Sequence, residues 1–502
     1  MEKKIRTEGS ELFFGLVGAV GTDLDAICDK LKNSLVNVRY QTTIVSLSTL
    51  LNEYGKKIGV ELFQKPENKR ITSYMDAGDK FREIVKDGSA LATLALSYLK
   101  RFRKEKLAET TVPRQAYIFK SLKHRQEVEK LRKIYGKNFW LVSVYSPKES
   151  REQNLARRIA SSLNETDSEK CSPEAKKIII RDEHDIGNDF GQNVRDTFPL
   201  GDVFINADDQ PNIDKSINRF IELVFGNTFH TPTNEEFGMF HAFASALRSS
   251  SLSRQVGAAV TTQEGDIIST GTNEVPKAGG GLYGPDSDQD FREWKIGFDS
   301  NDDKKKHMLK DVLQHLLEAK WLTAEKSSKD MDELTEEASK SILKDIQLMN
   351  LTEFGREVHA EMAALMDAAR RTIYVKNCIL YCTTFPCHVC AKHIIASGLS
   401  GVVYIEPYPK SLAKELFVDS IALDETQKDG KVNFRPFVGV HPRRYIDLFS
   451  MTERKQNGKK LEWINIEADP RYSEPIIYLA KEEDELKQLN EQMQKTGLKE
   501  KN

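Results

Sequence analysis

The sequence predicts an α/β protein of two or three domains, because its 502 residues exceed the length of one typical domain. In the first 230 residues short apolar runs alternate with helical patterns, which indicates a parallel sheet. After residue 234 a helix, a hairpin and two helix–strand pairs follow. We predict a parallel-sheet domain at 8–230, an α/β/α domain at 234–450 with a helical insert at about 284–352, and a tail at 451–502. The tail is charged from Lys481 onward, so we expect a frayed helix or disorder there.

The first predicted strand, Leu12–Val17, enters a glycine-rich turn that leads to a helix over Leu24–Leu31. Strand, glycine loop and helix in this order are the layout of a phosphate-binding loop. The match to G-x-x-x-x-G-K-[ST] is imperfect, because five residues separate Gly15 from Gly21 and Thr22 stands where lysine is expected. The loop therefore indicates nucleotide binding without an ATP-hydrolysing site. The candidate nucleotide-binding residues of this loop are Gly15, Gly18, Gly21, Thr22 and Asp23.

Further strands of this domain are predicted over Phe139–Tyr145, Lys177–Arg181 and Gly201–Asn206. The first of these leads into Arg151 and a helix that carries Arg157 and Arg158. This arrangement suits the arginine-bearing lid of a nucleotide kinase, and equally a solvated basic helix face. We take Arg151 as a candidate nucleotide contact. Asp182 follows the second strand, at a sheet edge where ligand sites collect.

The most specific pattern is a split metal motif, His359-Ala360-Glu361 and Pro386-Cys387-His388-Val389-Cys390. Catalytic zinc takes three protein ligands and keeps one position open. His359, Cys387 and Cys390 supply three such ligands, and the Glu361 carboxylate is placed to move protons beside the metal. H-x-E followed by P-C-x-x-C is the pattern of zinc-dependent nucleobase deaminases. We therefore predict Zn²⁺ as the cofactor and Glu361 as the catalytic residue.

Predicted elements around the motif place both of its parts at helix starts, where the helix dipole favours thiolates. The alternative is a closed structural zinc site with His388 or His393 as fourth ligand, which leaves Glu361 without a role. The predicted elements are a helix over Val358–Ala369, a strand over Cys378–Thr383, a helix from Cys387 through Ile395, and a strand over Val402–Glu406.

Upstream segments carry a resemblance to the cytidine and deoxycytidylate deaminase superfamily. The strand Arg254–Val260 (RQVGAAV) and the turn Gly271–Pro276 (GTNEVP) are similar to segments of deoxycytidylate deaminases. The resemblance implies that Asn273 binds the sugar, and an Asx turn beside a proline is the alternative role of that side chain. The other candidate substrate-binding residues are Ser253 and Arg254, beside the phosphates, and Tyr408, in the base pocket.

Composition restricts the class of protein. The formal net charge is −2, whereas most polynucleotide-binding proteins carry an excess of basic residues. No apolar run reaches the roughly 18–20 residues that span a bilayer, and the first residues, MEKKIRTEGSELFF, lack the apolar core of a signal peptide. Six cysteines in a chain of this length suit a reducing compartment. We expect a cytoplasmic protein without a membrane segment.

Over nearly its whole length the chain resembles the bacterial anti-phage dCTP/dCMP deaminases of the AvcD/DcdV group. The resemblance includes the loop Gly15–Asp23 and the late segments Pro436–Val440 and Pro442–Tyr445. It implies a degenerate P-loop, kinase-like domain joined to a deoxycytidylate deaminase domain. It also implies free deoxycytidine nucleotides as substrates, their depletion during infection, and prior inhibition by a non-coding RNA or a regulatory nucleotide. Related deaminases commonly assemble, so we expect a homo-oligomer.

Two other functions stay open on the sequence. A polynucleotide deaminase acting on single-stranded DNA or tRNA shares the same zinc core. Against it stand the mild net acidity and the lack of an obvious tract of alternating aromatic and basic residues. The second is a regulatory nucleotide sensor with a structural zinc, and the presence of Glu361 argues against it.

Overall fold

The computed structural model describes residues 10–107, 111–185, 188–344, 346–407, 411–423, 430–450, 453–472 and 476–498. These residues form two compact units, one from residues up to 232 together with those from 438 onward, the other from residues 233–437. Each unit contains a six-stranded sheet and helices, so the predicted α/β class is confirmed. Among the described residues, no helix combines the length and the apolar character needed to cross a membrane.

The strands are numbered in chain order. They are β1 (Leu12–Gly18), β2 (Gln41–Ser46), β3 (Gln115–Lys120), β4 (Phe139–Tyr145), β5 (Val203–Asn206), β6 (Gly257–Thr261), β7 (Ile267–Thr272), β8 (Ile379–Thr384), β9 (Gly401–Glu406), β10 (Ile421–Leu423), β11 (Val432–Pro436), β12 (Gly439–Val440), β13 (Lys455–Gln456) and β14 (Lys459–Lys460).

The α-helices divide between the two units. Those of the first unit are Leu24–Asn37, Leu47–Leu50, Glu67–Val85, Ala90–Leu107, Arg125–Tyr135, Lys148–Leu163, Ser172–Glu183, Val194–Thr197, Gln210–Val224, Tyr445–Phe449 and Tyr478–Lys495. Those of the second unit are Asn234–Ala246, Glu293–Ile296, Ser300–Glu318, Ala324–Ser327, Met331–Lys340, Ala360–Arg370, His388–Ala396 and Ala413–Leu416.

The sheet of the first unit has the strand order β12-β5-β4-β1-β3-β2, and all neighbours are parallel except β12. Every residue of β1 is buried, as expected for a central strand covered on both faces. Phe13 stacks on Tyr135 with ring centroids 3.5 Å apart. The glycine loop after β1 therefore begins at the carboxyl edge of a parallel sheet, where ligand sites collect.

The sheet of the second unit has the order β10-β11-β9-β8-β6-β7, with β6 antiparallel to both neighbours. Two glycines let helices approach it closely. A Cβ on Gly257 would lie 2.0 Å from the Ala242 carbonyl oxygen, and one on Gly271 would lie 2.1 Å from the Ala360 carbonyl oxygen. The second contact places the start of the helix Ala360–Arg370, and with it His359, directly against β7.

The helices of the insert form a small apolar cluster of their own. Ser300–Glu318 contributes Leu309 and Leu313, and Met331–Lys340 contributes Leu334 and Ala338. These side chains pack with one another, apart from the cluster that surrounds the sheet of the second unit. The insert is therefore a packing element, in agreement with the spacing of its apolar residues.

The strand predicted over Lys177–Arg181 is wrong, because these residues belong to the helix Ser172–Glu183. Proline in the first turn favours a helix start, and Glu174 adds an acidic residue there. Ile178 and Ile179 are buried whereas Ile180 is 57% exposed. A strand covered on both faces would have buried all three, but a helix turns one of them outward.

Of the two expectations for the tail, a frayed helix or disorder, the structure has a helix, Tyr478–Lys495, and this helix is packed rather than frayed. Tyr478, Leu489 and Met493 join the core of the first unit. Glu482 is buried but pairs with Arg103, whose Nη1 lies 2.6 Å from Glu482 Oε2. The buried charge of Glu482 is therefore compensated by an ion pair within the protein rather than by solvent.

The predicted domain boundary at residue 450 also differs from the two units. Residues from 438 onward belong with the first unit. β12 pairs antiparallel with β5, and the His441 N–H donates to the Asp202 carbonyl 2.9 Å away. Backbone pairing at a free sheet edge is a strong constraint that carries no side-chain signature in the sequence.

Candidate functional site

Three metal-ligand side chains meet at the starts of two helices in the second unit. His359 precedes the helix Ala360–Arg370, and Cys387 precedes the helix His388–Ala396, whose first turn carries Cys390. His359 Nδ1 lies 3.3 Å from Cys387 Sγ and 3.4 Å from Cys390 Sγ. All three donor atoms lie within 4.8 Å of one another.

The electrostatics of this cluster suit a divalent cation. The Cys390 thiol and the His359 ring both hydrogen-bond to the Cys387 sulfur, and they lower the pKa of Cys387 to about 4. The charged sulfur in turn raises the pKa of His359 to about 9. A thiolate at a helix N-terminus is further favoured by the helix dipole. One of the two sulfur ligands is therefore already favoured as a thiolate, whereas the hydrogen bond to Cys387 and burial raise the pKa of Cys390.

The donor set fits a zinc site with three protein ligands. One imidazole and two thiolates are the ligands of the zinc-dependent deaminases. Among the described residues the cluster contains three donors, and neither His388 nor His393 belongs to it. His388 Nε2 lies instead 3.2 Å from Glu353 Oε1. The closed four-ligand alternative therefore lacks its fourth donor, and a metal here keeps one position for a reactant.

Glu361 lies in the first turn of the helix that follows His359, and it is 4% exposed. Burial raises the pKa of this carboxyl, and the negative Cys387 sulfur raises it further. A raised pKa makes this carboxylate a stronger proton acceptor than an ordinary glutamate. Glu361 stands outside the metal-ligand cluster, which leaves its carboxyl available for proton transfer.

A pocket of about 150 Å³ opens beside the cluster. Three of the candidate substrate-binding residues, Ser253, Arg254 and Asn273, line it together with Glu361. Tyr408, the fourth, lies outside the described residues. The pocket thus joins the predicted proton carrier to most of the predicted substrate contacts.

Asn273 directly follows β7 and is buried. Its Oδ1 accepts the Val256 N–H at 2.8 Å, and its Nδ2 donates to the Arg254 carbonyl at 2.9 Å. Nδ2 also lies 3.2 Å from Glu357 Oε2. These three bonds hold the amide in one orientation, so Asn273 is a rigid part of the pocket wall rather than a free turn residue.

Arg254 and Ser253 form the more exposed rim of the pocket. Arg254 Nη1 lies 3.3 Å from Glu406 Oε2, and the Arg254 side chain is 42% exposed. The Ser253 Oγ lies 3.2 Å from the Ser251 Oγ. An exposed ion pair of this kind contributes little to stability, so the position of Arg254 at the rim matters more for ligand binding than for the fold.

The sequence analysis missed Glu357 as a pocket residue, together with Phe385. A backbone bridge pairs Val358 with Glu274 in antiparallel register. Because side chains alternate along extended backbone, Glu357 and His359 share one face and Asn273 lies across from them. A two-residue spacing puts Glu357 on the face of the histidine ligand only where the backbone is extended, and that follows from the bridge to Glu274 rather than from the local sequence.

These observations can be compared with known families. Residues 232–406 match the cytidine and deoxycytidylate deaminase zinc-binding region. Together with the His/Cys/Cys cluster, this match identifies the cofactor as Zn²⁺. The matching segment lies almost entirely in the second unit, and the match stops short of the residues after 406.

Individual relatives cover different shares of the chain. A deoxycytidylate deaminase of Enterobacteria phage T2 is 42% identical over 55 residues, which are 11% of this chain and 29% of the phage protein. The chain thus spans less than a third of that relative. A deoxycytidylate deaminase of Mus musculus is 26% identical over 220 residues, covering 44% of this chain and 88% of that protein. A crystal structure of dCMP deaminase from cyanophage S-TIM5 with dCMP and dUMP aligns over 42% of this chain and 100% of its own, at 18% identity and a TM-score of 0.24.

A larger cavity of about 760 Å³ lies in the first unit, beside the loop that follows β1. Gly15 lies apart from it inside β1, where a Cβ would fall 2.6 Å from Leu122 Cδ1, so this glycine serves packing. Gly21 has a φ of +92° and passes so close to the Arg151 backbone that only glycine fits. Of the predicted loop residues, those that line the cavity are Gly18, Gly21, Thr22 and Asp23.

Basic side chains gather on the wall of this cavity. Arg157 and Arg158 reach it from the helix Lys148–Leu163, and Arg70 reaches it from the helix Glu67–Val85. Arg151 does not line it, because its Nε donates to the Ser146 carbonyl at 3.1 Å and its Nη2 to Glu183 at 3.0 Å. The other basic residues of the wall are Arg82, Lys120 and Lys123.

The loop itself is engaged by the protein. The Val20 N–H donates to Asp182 Oδ2 at 2.7 Å, and the Thr22 N–H donates to the Ala19 carbonyl at 3.1 Å. Lys123 Nζ lies 2.9 Å from the carboxylate of Asp182, which is fully buried. Asp182 therefore occupies a loop N–H and a lysine, the partners that a phosphate uses in a nucleotide-hydrolysing site.

Proposed function

We propose that the second unit deaminates deoxycytidine nucleotides, converting dCMP or dCTP with water to the deoxyuridine nucleotide and ammonia. The observation that carries this proposal is the position of Glu361, buried beside a three-donor zinc cluster and in one pocket with Asn273. The zinc-binding region match and the deoxycytidylate deaminases among the relatives support the choice of substrate.

In the proposed reaction the protein binds the base next to the proton carrier. Zn²⁺ bound by His359, Cys387 and Cys390 supplies the Lewis acidity that makes water a nucleophile near neutral pH. Glu361 accepts a proton from the attacking water and delivers it to N3 of cytosine. It then passes the second proton to the departing amino group, so that ammonia leaves and the uracil carbonyl remains.

The rest of the pocket orients the nucleotide. Asn273, held by its bonds to Val256 and Arg254, forms the wall for the sugar. Arg254 lies at the rim, where turning from Glu406 toward a phosphate keeps its charge compensated. Phe385 adds an aromatic side chain beside the base. Because the Asn273 amide is held in one orientation, its wall lowers the entropic barrier to reaction.

Substrate profiling tests this proposal. Purified zinc-loaded protein would be incubated separately with dCMP, dCTP, CMP, CTP, deoxycytidine and a cytosine-containing single strand, and uracil products would be separated by chromatography. Conversion of dCMP or dCTP, absent in Glu361→Ala, is the expected result. Conversion of the strand alone would replace the proposal with polynucleotide deamination.

We propose that the first unit binds a regulatory nucleotide in its 760 Å³ cavity and does not transfer its phosphate. Arginines on the wall suit phosphate oxygens. Both lysines of the described cavity wall are already paired, Lys123 with Asp182 and Lys120 with Asp25. Wild-type protein should bind ATP or dTTP in calorimetric titrations, and Arg157→Gln with Arg158→Gln should weaken that binding at least about tenfold. Arg125→Gln, in an exposed pair with Glu129, is the matched control.

We propose an anti-phage role on the resemblance of the whole chain to the AvcD/DcdV group. Cells that express the wild-type protein should form fewer phage plaques and lose dCTP during infection, whereas cells with Glu361→Ala should not. Equal plaque counts in both strains would remove this role and leave the enzymatic proposal intact. The inhibitory RNA and the homo-oligomer remain predictions, to be checked by co-purification of RNA and by light scattering.

A further inference from the structure

We propose that Glu357 accepts a hydrogen bond from the 3′-hydroxyl of the substrate sugar and thereby selects nucleotides that carry this hydroxyl. This inference rests on the proposed function, because it assumes that a deoxycytidine 5′-nucleotide occupies the pocket beside Glu361. A 2′-deoxyribose with a 5′-phosphate has one free hydroxyl, at the 3′ position. A pocket that recognises such a sugar by a hydroxyl must therefore supply a partner for it.

The backbone places Glu357 at the sugar end of the pocket. Val358 bridges to Glu274 in antiparallel register, so Glu357 and His359 project to the same face. Glu357 and Asn273 both line the pocket, and Glu357 Oε2 lies 3.2 Å from Asn273 Nδ2. The carboxyl thus lies next to the proposed sugar wall, on the same face as the first metal ligand.

The bonds of Asn273 direct the sugar contact toward Glu357. Both amide hydrogens of Asn273 are used, one by the Arg254 carbonyl at 2.9 Å and one by Glu357. The oxygen of Asn273 already accepts the Val256 N–H at 2.8 Å. Asn273 therefore has no amide hydrogen left to donate to a sugar. Its hydrogen bond to Glu357 instead orients the Glu357 carboxyl in the pocket.

Glu357 has acceptor capacity to spare. A carboxylate offers about four lone-pair sites. The donors on Glu357 are Asn273 and the Ser251 side chain. A hydroxyl donating to one of the remaining lone pairs makes a charge-assisted bond, which is stronger than a bond between neutral groups.

The neighbouring acidic residue plays a different part. Glu274 is buried, and its Oε2 accepts both the N–H and the hydroxyl of Ser250, at 3.0 and 2.6 Å. Its Oε1 accepts the Val275 N–H at 3.0 Å. Glu274 is therefore a structural carboxylate outside the pocket lining, whereas Glu357 faces the pocket.

The test is a cycle that removes the contact from each side in turn. Wild-type protein and Glu357→Ala would each be assayed with dCMP and with 2′,3′-dideoxycytidine monophosphate, which lacks the 3′-hydroxyl. Wild type should lose about 10- to 100-fold in kcat/KM on the dideoxy substrate, mostly through KM. Glu357→Ala should show a similar loss on dCMP and little further loss on the dideoxy substrate.

Controls separate this role from a structural one. Each variant would be checked for zinc content and melting temperature. If Glu357→Ala loses zinc, Glu357→Gln is used instead; it keeps the side-chain shape and one acceptor oxygen, so its loss on dCMP should be smaller but should likewise shrink on the dideoxy substrate. Glu415→Gln, an exposed carboxyl elsewhere in the second unit, should behave as wild type. If the enzyme is active but the losses in kcat/KM from Glu357→Ala and from the dideoxy substrate multiply, the inference is wrong and the proposed function stands. A wild-type protein inactive on every cytosine nucleotide overturns both the inference and the proposed function.

Discussion

The zinc pocket of the second unit and the glycine-loop cavity of the first unit satisfy their polar groups in opposite ways. His359, Cys387 and Cys390 converge on one another and place their donor atoms where a cation compensates them. In the loop after β1, the Val20 N–H and Lys123 are compensated by Asp182 of the same chain. The first arrangement presents converging donor atoms that a cation can bind, whereas the second is already paired within the chain. Glycines in a loop after a strand therefore indicate a loop shape, whereas convergent side-chain donors indicate a ligand.

Among changes to these two sites, removing a metal ligand should have the largest effect, on both zinc content and turnover. His359→Ala is expected to lose stoichiometric zinc and all measurable deamination, because two thiolates alone bind the metal far less tightly. Zinc content by mass spectrometry and turnover would be measured together. His393→Ala, on the same helix as Cys390 but outside the cluster, should keep both zinc and activity. Loss of zinc from His393→Ala would instead favour the closed four-ligand site.

Removing the proton carrier should come next. Glu361→Gln is expected to lower kcat by about 10²–10⁴-fold, the usual contribution of a positioned acid–base group. Zinc content should stay at the wild-type value, because Glu361 lies outside the ligand cluster. The same variant should bind nucleotides at the first unit as wild type does. A variant without zinc would show that Glu361 supports the metal rather than the proton transfer.

Removing the internal partner of the loop should act on stability. Asp182→Ala leaves the Val20 N–H and Lys123 without their carboxylate, and it should lower the free energy of unfolding by about 1–3 kcal/mol. Chemical denaturation would measure this. The freed lysine should also strengthen binding of inorganic phosphate, which calorimetry would detect. Unchanged stability with unchanged phosphate binding would mean that the loop does not depend on Asp182.

The smallest expected effect concerns the pH dependence of the first unit. Burial, together with the charges of Arg443 and Arg132, holds the pKa of His441 well below 6.5 in the folded protein. The neutral ring therefore contributes stability that is present above pH 6.5 and lost as pH falls below it. The loss approaches about 1.4 kcal/mol per pH unit. His441→Asn should remove this dependence of stability on pH. The free energies of unfolding measured by denaturation at pH 7.5 and at pH 5.5 should therefore differ less for the variant than for the wild type.

The sequence predicted the zinc site well because its chemistry depends on residue types at short spacing. The ligands and Glu361 lie within two short segments, and the helix starts that hold them follow from local signals. Glu357 escaped notice because its role depends on a backbone bridge to Glu274, which joins residues far apart in the chain. Pairing of that kind has no local signature.

The errors in the first unit have a related cause. The run Lys177–Arg181 is apolar and β-branched, which suggested a strand, yet the proline and the acid before it mark a helix start. In the tail, the charged composition suggested a frayed helix or disorder, whereas Glu482 is paired with Arg103 and Tyr135 in the core. Charged residues are misleading wherever their partners lie hundreds of residues away.

The helix Tyr478–Lys495 also sets the order in which the protein can be completed during synthesis. Its Tyr478 hydroxyl reaches Glu11 at 3.0 Å, so the beginning of the chain waits for one of its last segments before its buried carboxylate is fully paired. Residues 233–437 leave the ribosome earlier and contain every zinc ligand. The second unit can therefore fold and take up metal on a nascent chain that still lacks Tyr478.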